Sequence, residues 1–298
     1  MDATAKEAAH SISHNPKLHY LSSSRRDFVN LNVLMNSFRK QIKNSLIMGY
    51  ETYLRSLTFS KVDESGCNLY YTHQNHPIDS RILNRFSKIL VMNKAEKLNM
   101  ASLGVSEDKI SVVYGAVNKS LFNPGPKNAM IPLNEPEVFV LVASDCKPRK
   151  NPRKILETIR VMSNINFVIH GKGWIEEFEG VMNQLPNLTY LPFNFQNQPT
   201  LMRTASTFLS LSILEGGPYP LLEALASGTP AVVTRTGFAE DFIEVTNGFI
   251  VETDSSVEYI AECILKALNL KVLTRSIDLT ARDLSWETLA MNLYGHHN

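Results

Sequence analysis

The chain has 298 residues, 44% hydrophobic and 20% charged, which suits one large or two ordinary folded domains and excludes a disordered or fibrous chain. No run reaches the ~18 apolar residues of a membrane span, and the polar start MDATAKEAAHSISHN lacks the apolar core of a secretory signal. The expectation is therefore a cytoplasmic protein with no integral membrane segment. The net charge of +1 hides an asymmetry: residues 1–125 carry 16 Lys and Arg against 10 Asp and Glu, and the rest 14 against 19. Two units facing different partners would explain it, as would scatter over a solvated surface. Cys67, Cys146 and Cys263 are far apart and form no zinc spacing, so no metal site is expected.

In chain order, residues 28–57 read as a helix, with Leu31, Leu34, Met35, Phe38, Ile42, Leu46 and Ile47 at three- and four-residue steps. Its basic positions would suit either a solvated face or an anionic surface. Residues 68–72 read as a strand ending at His73, followed by a loop with His76 and Pro77. A short helix at 82–86, a strand at 88–92, a helix at 94–103 and a strand at 109–113 follow. This is the rhythm of a parallel sheet with helices on its faces. The proline-rich stretch 126–136 is the expected linker between residues 1–125 and 137–280. After it the rhythm restarts: strands at 138–143, 166–170, 188–191, 207–211, 231–234 and 249–251, alternating with helices at 152–162, 176–184, 198–203, 240–244 and 257–268. Asn151 reads as the cap of the first of these helices. Helices at 273–279 and 286–294 complete the chain, and the expected class is α/β with a doubly wound sheet in the second half.

Residues 215–230 read Glu215-Gly-Gly-Pro-Tyr-Pro-Leu-Leu-Glu223-Ala-Leu-Ala-Ser-Gly228-Thr-Pro230. Gly216 and Gly217 leave the backbone open, Pro220 suits the first position of a helix, and Gly228 ends it. A helix start at the carboxyl end of a parallel strand is an anion site suited to a phosphate or diphosphate. Glu215 precedes that helix and Glu223 lies a turn inside it, so both are placed to accept from sugar hydroxyls.

This segment resembles the signature of the retaining GT-B glycosyltransferases of family 4 (glycosyl transferases group 1), a glutamate, seven residues and a second glutamate. Ser212, Ala224, Ala226, Gly228 and Pro230 also fall in place. The resemblance extends to Thr236–Glu240, Asn247–Val251, Ser285-Trp286, the strand ending at Gly171-Lys-Gly173, and Ile110–Pro124. It implies a GT-B fold, two Rossmann-like domains facing across a cleft. The first, residues 1–125, is reduced because the usual opening strand and glycine turn are missing. Residues 281–298 would form a helix crossing back to it.

The resemblance also implies roles. Glu215, Lys150 and His73, with His76 competing for the last, would act at the sugar and leaving group. Gly216, Gly217, Pro218, Tyr219, Leu222, Glu223, Arg149, Gly171 and Gly173 would hold the donor, with Glu223 on the ribose. The family pairs its lysine with an arginine five residues earlier, but that position here is Asp145. Arg149 or Lys147 would supply the second cation, or the loop is shifted. The implied activity is transfer from a nucleoside diphosphate sugar with no obligatory metal or other cofactor. The basic first half suits an anionic acceptor: a lipid-linked glycan at a membrane surface, or a modified nucleic acid. The alternative is a weak or inactive nucleotide-sugar-binding partner protein.

Overall fold

The computed structural model describes residues 46–49, 62–71, 79–125, 138–270 and 283–294. Contacts divide the chain into two units, one running to Gly115 and resuming at Ser285, the other spanning Ala116–Leu284. The expected linker 126–136, the helix at 273–279, and His73 and His76 lie outside the described residues.

The first unit holds a four-stranded parallel sheet in the order β1 (Leu46–Met48), β2 (Asn68–Tyr71), β3 (Lys88–Val91), β4 (Ile110–Val112). Its strands are short, largely apolar runs, and the inner pair, β2 and β3, is buried on both faces, as inner parallel strands are. Ile47, Leu69, Tyr71, Ile89, Val91 and Ile110 build the core with Phe86 and Met100. Between strands lie α1 (Ser80–Leu83) and α2 (Lys94–Ser102), and α9 (Trp286–Tyr294) returns to this unit from the chain's end. Asp79 caps α1 by accepting from the Arg81 amide, and Asn93 caps α2 through the Glu96 amide at 2.7 Å. Of the helix expected over 28–57, only residues 46–49 are described, and there it is corrected: Leu46 and Ile47 lie in β1 and pair with Asn68 and Leu69. Pairing with a neighbouring strand overrides a helical spacing that a short apolar run satisfies by accident.

The second unit is a six-stranded parallel sheet in the order β10-β9-β8-β5-β6-β7. The strands are β5 (Phe139–Ala143), β6 (Asn166–Gly171), β7 (Leu188–Pro192), β8 (Thr207–Ser210), β9 (Ala231–Thr234) and β10 (Gly248–Val251). The helices between them are α3 (Pro152–Val161), α4 (Trp174–Met182), α5 (Gln198–Thr204), α6 (Tyr219–Ala226) and α7 (Ala239–Phe242), with α8 (Val257–Leu268) after β10. Strand order reverses at β5, whose neighbours are β6 and β8. In an open parallel sheet the crevice beyond the carboxyl ends at such a reversal is where ligands bind. Val140, Val142, Phe167, Ile169, Leu209 and Val232 turn to one face, where Ile155, Ile159, Ile260 and Ile264 of α3 and α8 cover them. Val168 and His170 therefore turn to the opposite face by strand alternation. Helices α5 and α6 pack against each other and on β5, β8 and β9.

Asn151 does not cap α3 through its side chain. It sits in the left-handed region at φ 56°, making the turn between a 3-10 turn at Pro148–Lys150 and Pro152. Asparagine tolerates this region better than most residues. Helix α6 begins at Tyr219, so Pro220 is its second residue rather than its first, and Pro218 stands before it.

Candidate active site

Two loops meet at the sheet's reversal. Residues 144–150 leave β5 and residues 211–218 leave β8. The Ile213 amide donates to the Arg149 carbonyl at 2.8 Å and fixes their register. Glu215 is thereby brought to Arg149 and Lys150, 65 residues earlier in the chain. Its Oε2 lies 2.9 Å from the Arg149 guanidinium, and its Oε1 pairs with Lys150 Nζ. The Glu215 side chain is only 8% exposed, and Lys150 14%, while Arg149 keeps nearly half of its side chain in solvent. A carboxylate this enclosed needs its cations, since leaving it unpaired would cost several kcal/mol.

The loop at 211–218 is held from below. Ser212 is buried, its carbonyl accepts from Thr234 Oγ1 of β9, and its hydroxyl lies 3.5 Å from that of Ser210. Gly237 stands at φ 57°, and a Cβ there would come within 2.9 Å of Pro218 and 3.0 Å of the Gly216 carbonyl. The turn after β9 is thus packed directly onto the Gly216–Pro218 backbone. Gly216, Gly217 and Tyr219 stay half-buried, while Pro218 and Leu222 are buried.

Asp145 occupies the position five residues before Lys150 but does not stand bare beside the cations. Its Oδ1 accepts from the Lys172 amide at 3.2 Å, and its Oδ2 lies 3.6 Å from Lys147. Of the two cations expected to replace the missing arginine, Arg149 is at Glu215 and Lys147 is at Asp145. Asp145 instead braces the Gly171–Gly173 turn after β6. That turn is further held by the Cys146 amide on the Lys172 carbonyl at 2.7 Å, and by Tyr190 Oη on the Gly171 carbonyl at 2.9 Å. Trp174 Nε1 donates to the Ser144 carbonyl at 2.7 Å. A Cβ on Gly171 would lie 1.9 Å from that same carbonyl oxygen, so the β5 and β6 loops touch backbone to backbone.

Glu223, on α6, is partly buried, and its carboxyl accepts from Gln198 Nε2 on α5. Burial pushes its pKa up to about 7, and the Gln198 bond acts in the opposite sense. Sequence reading missed Gln198, Thr234, Tyr190 and the brace formed by Trp174. None carries a local motif, and each matters through a partner distant in the chain. Among the described residues, no group of three or more His, Cys, Asp or Glu is placed to hold a metal ion, and no helix is long and apolar enough to cross a membrane.

The model of the family described as glycosyl transferases group 1 matches residues 127–283, more than half of the chain. The chain belongs to this family. No curated protein sequence matches it. Among solved structures, sucrose-phosphate synthase from Thermosynechococcus elongatus superposes with a TM-score of 0.72 at 15% identity, over 96% of this chain and 81% of that one. HepE from Anabaena, in complex with UDP and glucose, gives 0.67 at 15% identity over 93% and 83%. TarM, from S. aureus, gives 0.65 at 18% identity over 86% of this glycosyltransferase chain, which spans only 56% of TarM. Likenesses at these identities establish the fold, which is GT-B: two Rossmann-like units, with parallel sheets of four and six strands.

Proposed function

We propose that this family member moves a sugar from a nucleoside diphosphate donor to a hydroxyl acceptor, with retention at the anomeric carbon. The observation that carries the reading is the meeting of Arg149, Lys150 and Glu215 at the carboxyl ends of β5 and β8, ahead of the α6 N-terminus. A leaving diphosphate needs positive charge fixed in place before the bond breaks. Arg149 and Lys150 provide it, and the α6 dipole adds to it. Glu215 is the counter-ion of both cations. The donor's diphosphate takes over that pairing and turns the Glu215 carboxylate toward the sugar hydroxyls. The anomeric carbon–oxygen bond to the diphosphate breaks as the bond to the acceptor oxygen forms on the same face, and the acceptor proton passes to the departing phosphate.

The turn at Gly171 and Gly173 and the backbone of Gly216, Gly217, Pro218 and Tyr219 line the donor, with Leu222 toward the base. Glu223 takes the ribose hydroxyls, and His73 contacts the sugar. The UDP and glucose held by HepE favour UDP-sugars as the first donors to try. An anionic acceptor fits the basic first half: a lipid-linked glycan at a membrane surface, with modified nucleic acid as the alternative. In this reading, residues 1–125 are the acceptor-side domain and 137–280 the donor domain, with 126–136 as linker and 281–298 as the returning helix.

The test is release of nucleoside diphosphate from a panel of UDP-, GDP- and ADP-sugars. One donor should be turned over slowly even without acceptor. Lys150→Ala should reduce its turnover by about 100- to 1000-fold, the scale for removing one fixed transition-state donor. Glu215→Ala should fall in the same direction, and Lys147→Ala should change little. No release with any donor from folded protein would overturn the transferase reading in favour of a binding protein.

A further inference from the structure

Hydrogen bonds tie the end of β6 to the turn at 193–197, and the start of α5 to α6. His170, at the end of β6, is 1% exposed and turns to the face that carries α5 and α6. Its Nε2 accepts from the Asn194 amide at 2.9 Å, so the ring proton lies on Nδ1. Burial lowers its pKa, which keeps the ring neutral and that acceptor available. Phe193 stacks on the ring with centroids 5.3 Å apart. The turn pinned in this way closes on itself: Asn194 Oδ1 accepts from the Gln196 amide, the Asn197 amide donates to the Asn194 carbonyl, and the Gln198 amide to the Phe195 carbonyl. Gln198 then opens α5 as a buried residue whose side chain donates to Glu223.

A glutamine is an expensive residue to bury unless its amide is used. Here the amide is spent on a carboxylate that is itself half-enclosed. We propose that Gln198 is a positioning residue for the donor nucleotide, holding one oxygen of the Glu223 carboxylate so that the other is presented to the ribose hydroxyls. This rests on the reading of Glu223 as the ribose contact. The turn at 193–197, seated on His170, sets where Gln198 stands.

A carboxylate accepts from both hydroxyls of a diol, whereas a neutral carboxyl spends one oxygen as a donor. Donor binding is therefore linked to loss of the Glu223 proton. The surroundings leave few other charges to act on that proton. Helix α6 carries no second charged residue, and β8 and β9 carry none. Arg203, on α5, is turned to the Leu121 carbonyl at 2.8 Å. Glu215, in the loop ahead of α6, is already paired with Arg149 and Lys150. Burial and the Gln198 bond are the two influences left on the proton, and they oppose each other.

The experiment is calorimetric binding of UDP, GDP and ADP, each beside its 2′,3′-dideoxy counterpart, between pH 5.5 and 9. Wild-type protein should prefer the ribonucleotide, with affinity falling about tenfold per pH unit below about pH 7. Gln198→Ala should lose about tenfold of that preference at pH 7, the scale of a hydrogen bond to a charged group. Its pH midpoint should move upward. Gln198→Glu, which keeps the shape of the residue should Gln198→Ala fail to fold, should move the midpoint further, because two carboxyls then share a proton. Glu223→Ala should lose both the preference and the pH step. Wild-type preference and midpoint retained in the Gln198 variants, but lost in Glu223→Ala, would overturn the role of Gln198 and leave the ribose reading standing. A wild-type protein blind to the ribose hydroxyls would overturn the ribose reading itself, and this proposal with it.

Discussion

Glu223 has a cost in stability that its chemistry explains. Its folded pKa is raised from 4.5 to about 7, so between those values the folded chain keeps a proton that the unfolded chain releases. Stability is thus highest, as far as this group is concerned, below about pH 4.5. It falls as pH rises toward 7 and is flat above. At 1.36 kcal/mol per unit the loss reaches up to about 3 kcal/mol. Glu223→Gln should remove that slope. In urea unfolding, its stability relative to wild type should be near zero at pH 4.5 and clearly positive at pH 8, while nucleotide affinity is lost. Equal slopes in both proteins would refute the assignment. At the same scale, Arg149 and Lys150 sit two and three residues past Lys147, and composition cannot tell which of the three reaches Glu215. The backbone bond from Ile213 to Arg149 decides it.

The elements form as their sequence periods require, but their seats depend on backbone contacts invisible to periodicity. Gly171 ends β6 against the Ser144 carbonyl, and Gly237 packs against Pro218 and the Gly216 carbonyl. Gly171→Ala should cost roughly 3 kcal/mol in denaturant unfolding, because a Cβ has no room without separating two loops. Gly237→Ala should cost about 1–2 kcal/mol through its left-handed backbone, and should also weaken donor binding because it presses on the loop at Gly216–Pro218. Gly180→Ala, on α4 with open space around its Cβ position, should not destabilise and serves as the control. The helix expected over 28–57 shows the limit of the same logic. The spacing of Leu46 and Ile47 satisfies a helix, but the edge of a parallel sheet captures them as β1.

For the whole molecule, the opposite net charges of residues 1–125 and of the remainder bear on the acceptor. Attraction of an anionic acceptor to exposed lysines and arginines is screened over about 8–10 Å at moderate salt, whereas enclosed pairs such as Glu215 with Lys150 are screened much less. Raising salt from 50 to 300 mM should therefore raise the KM for an anionic acceptor several-fold and leave donor hydrolysis nearly unchanged. An acceptor KM indifferent to salt would argue for a small neutral acceptor.

The sequence by itself determined the alternation of strands and helices in residues 138–268, the two glutamates with seven residues between them around the start of α6, and the family they mark. These are local properties, written in period, turn residues and spacing. Only the tertiary structure decided that Arg149 is the second cation at Glu215, that Asp145 braces the Gly171–Gly173 turn, and that Gln198 holds Glu223. The physical reason is the reversed strand order. It sets the carboxyl end of β5 between those of β6 and β8, so side chains 25 to 65 residues apart become partners through a register that no local pattern encodes.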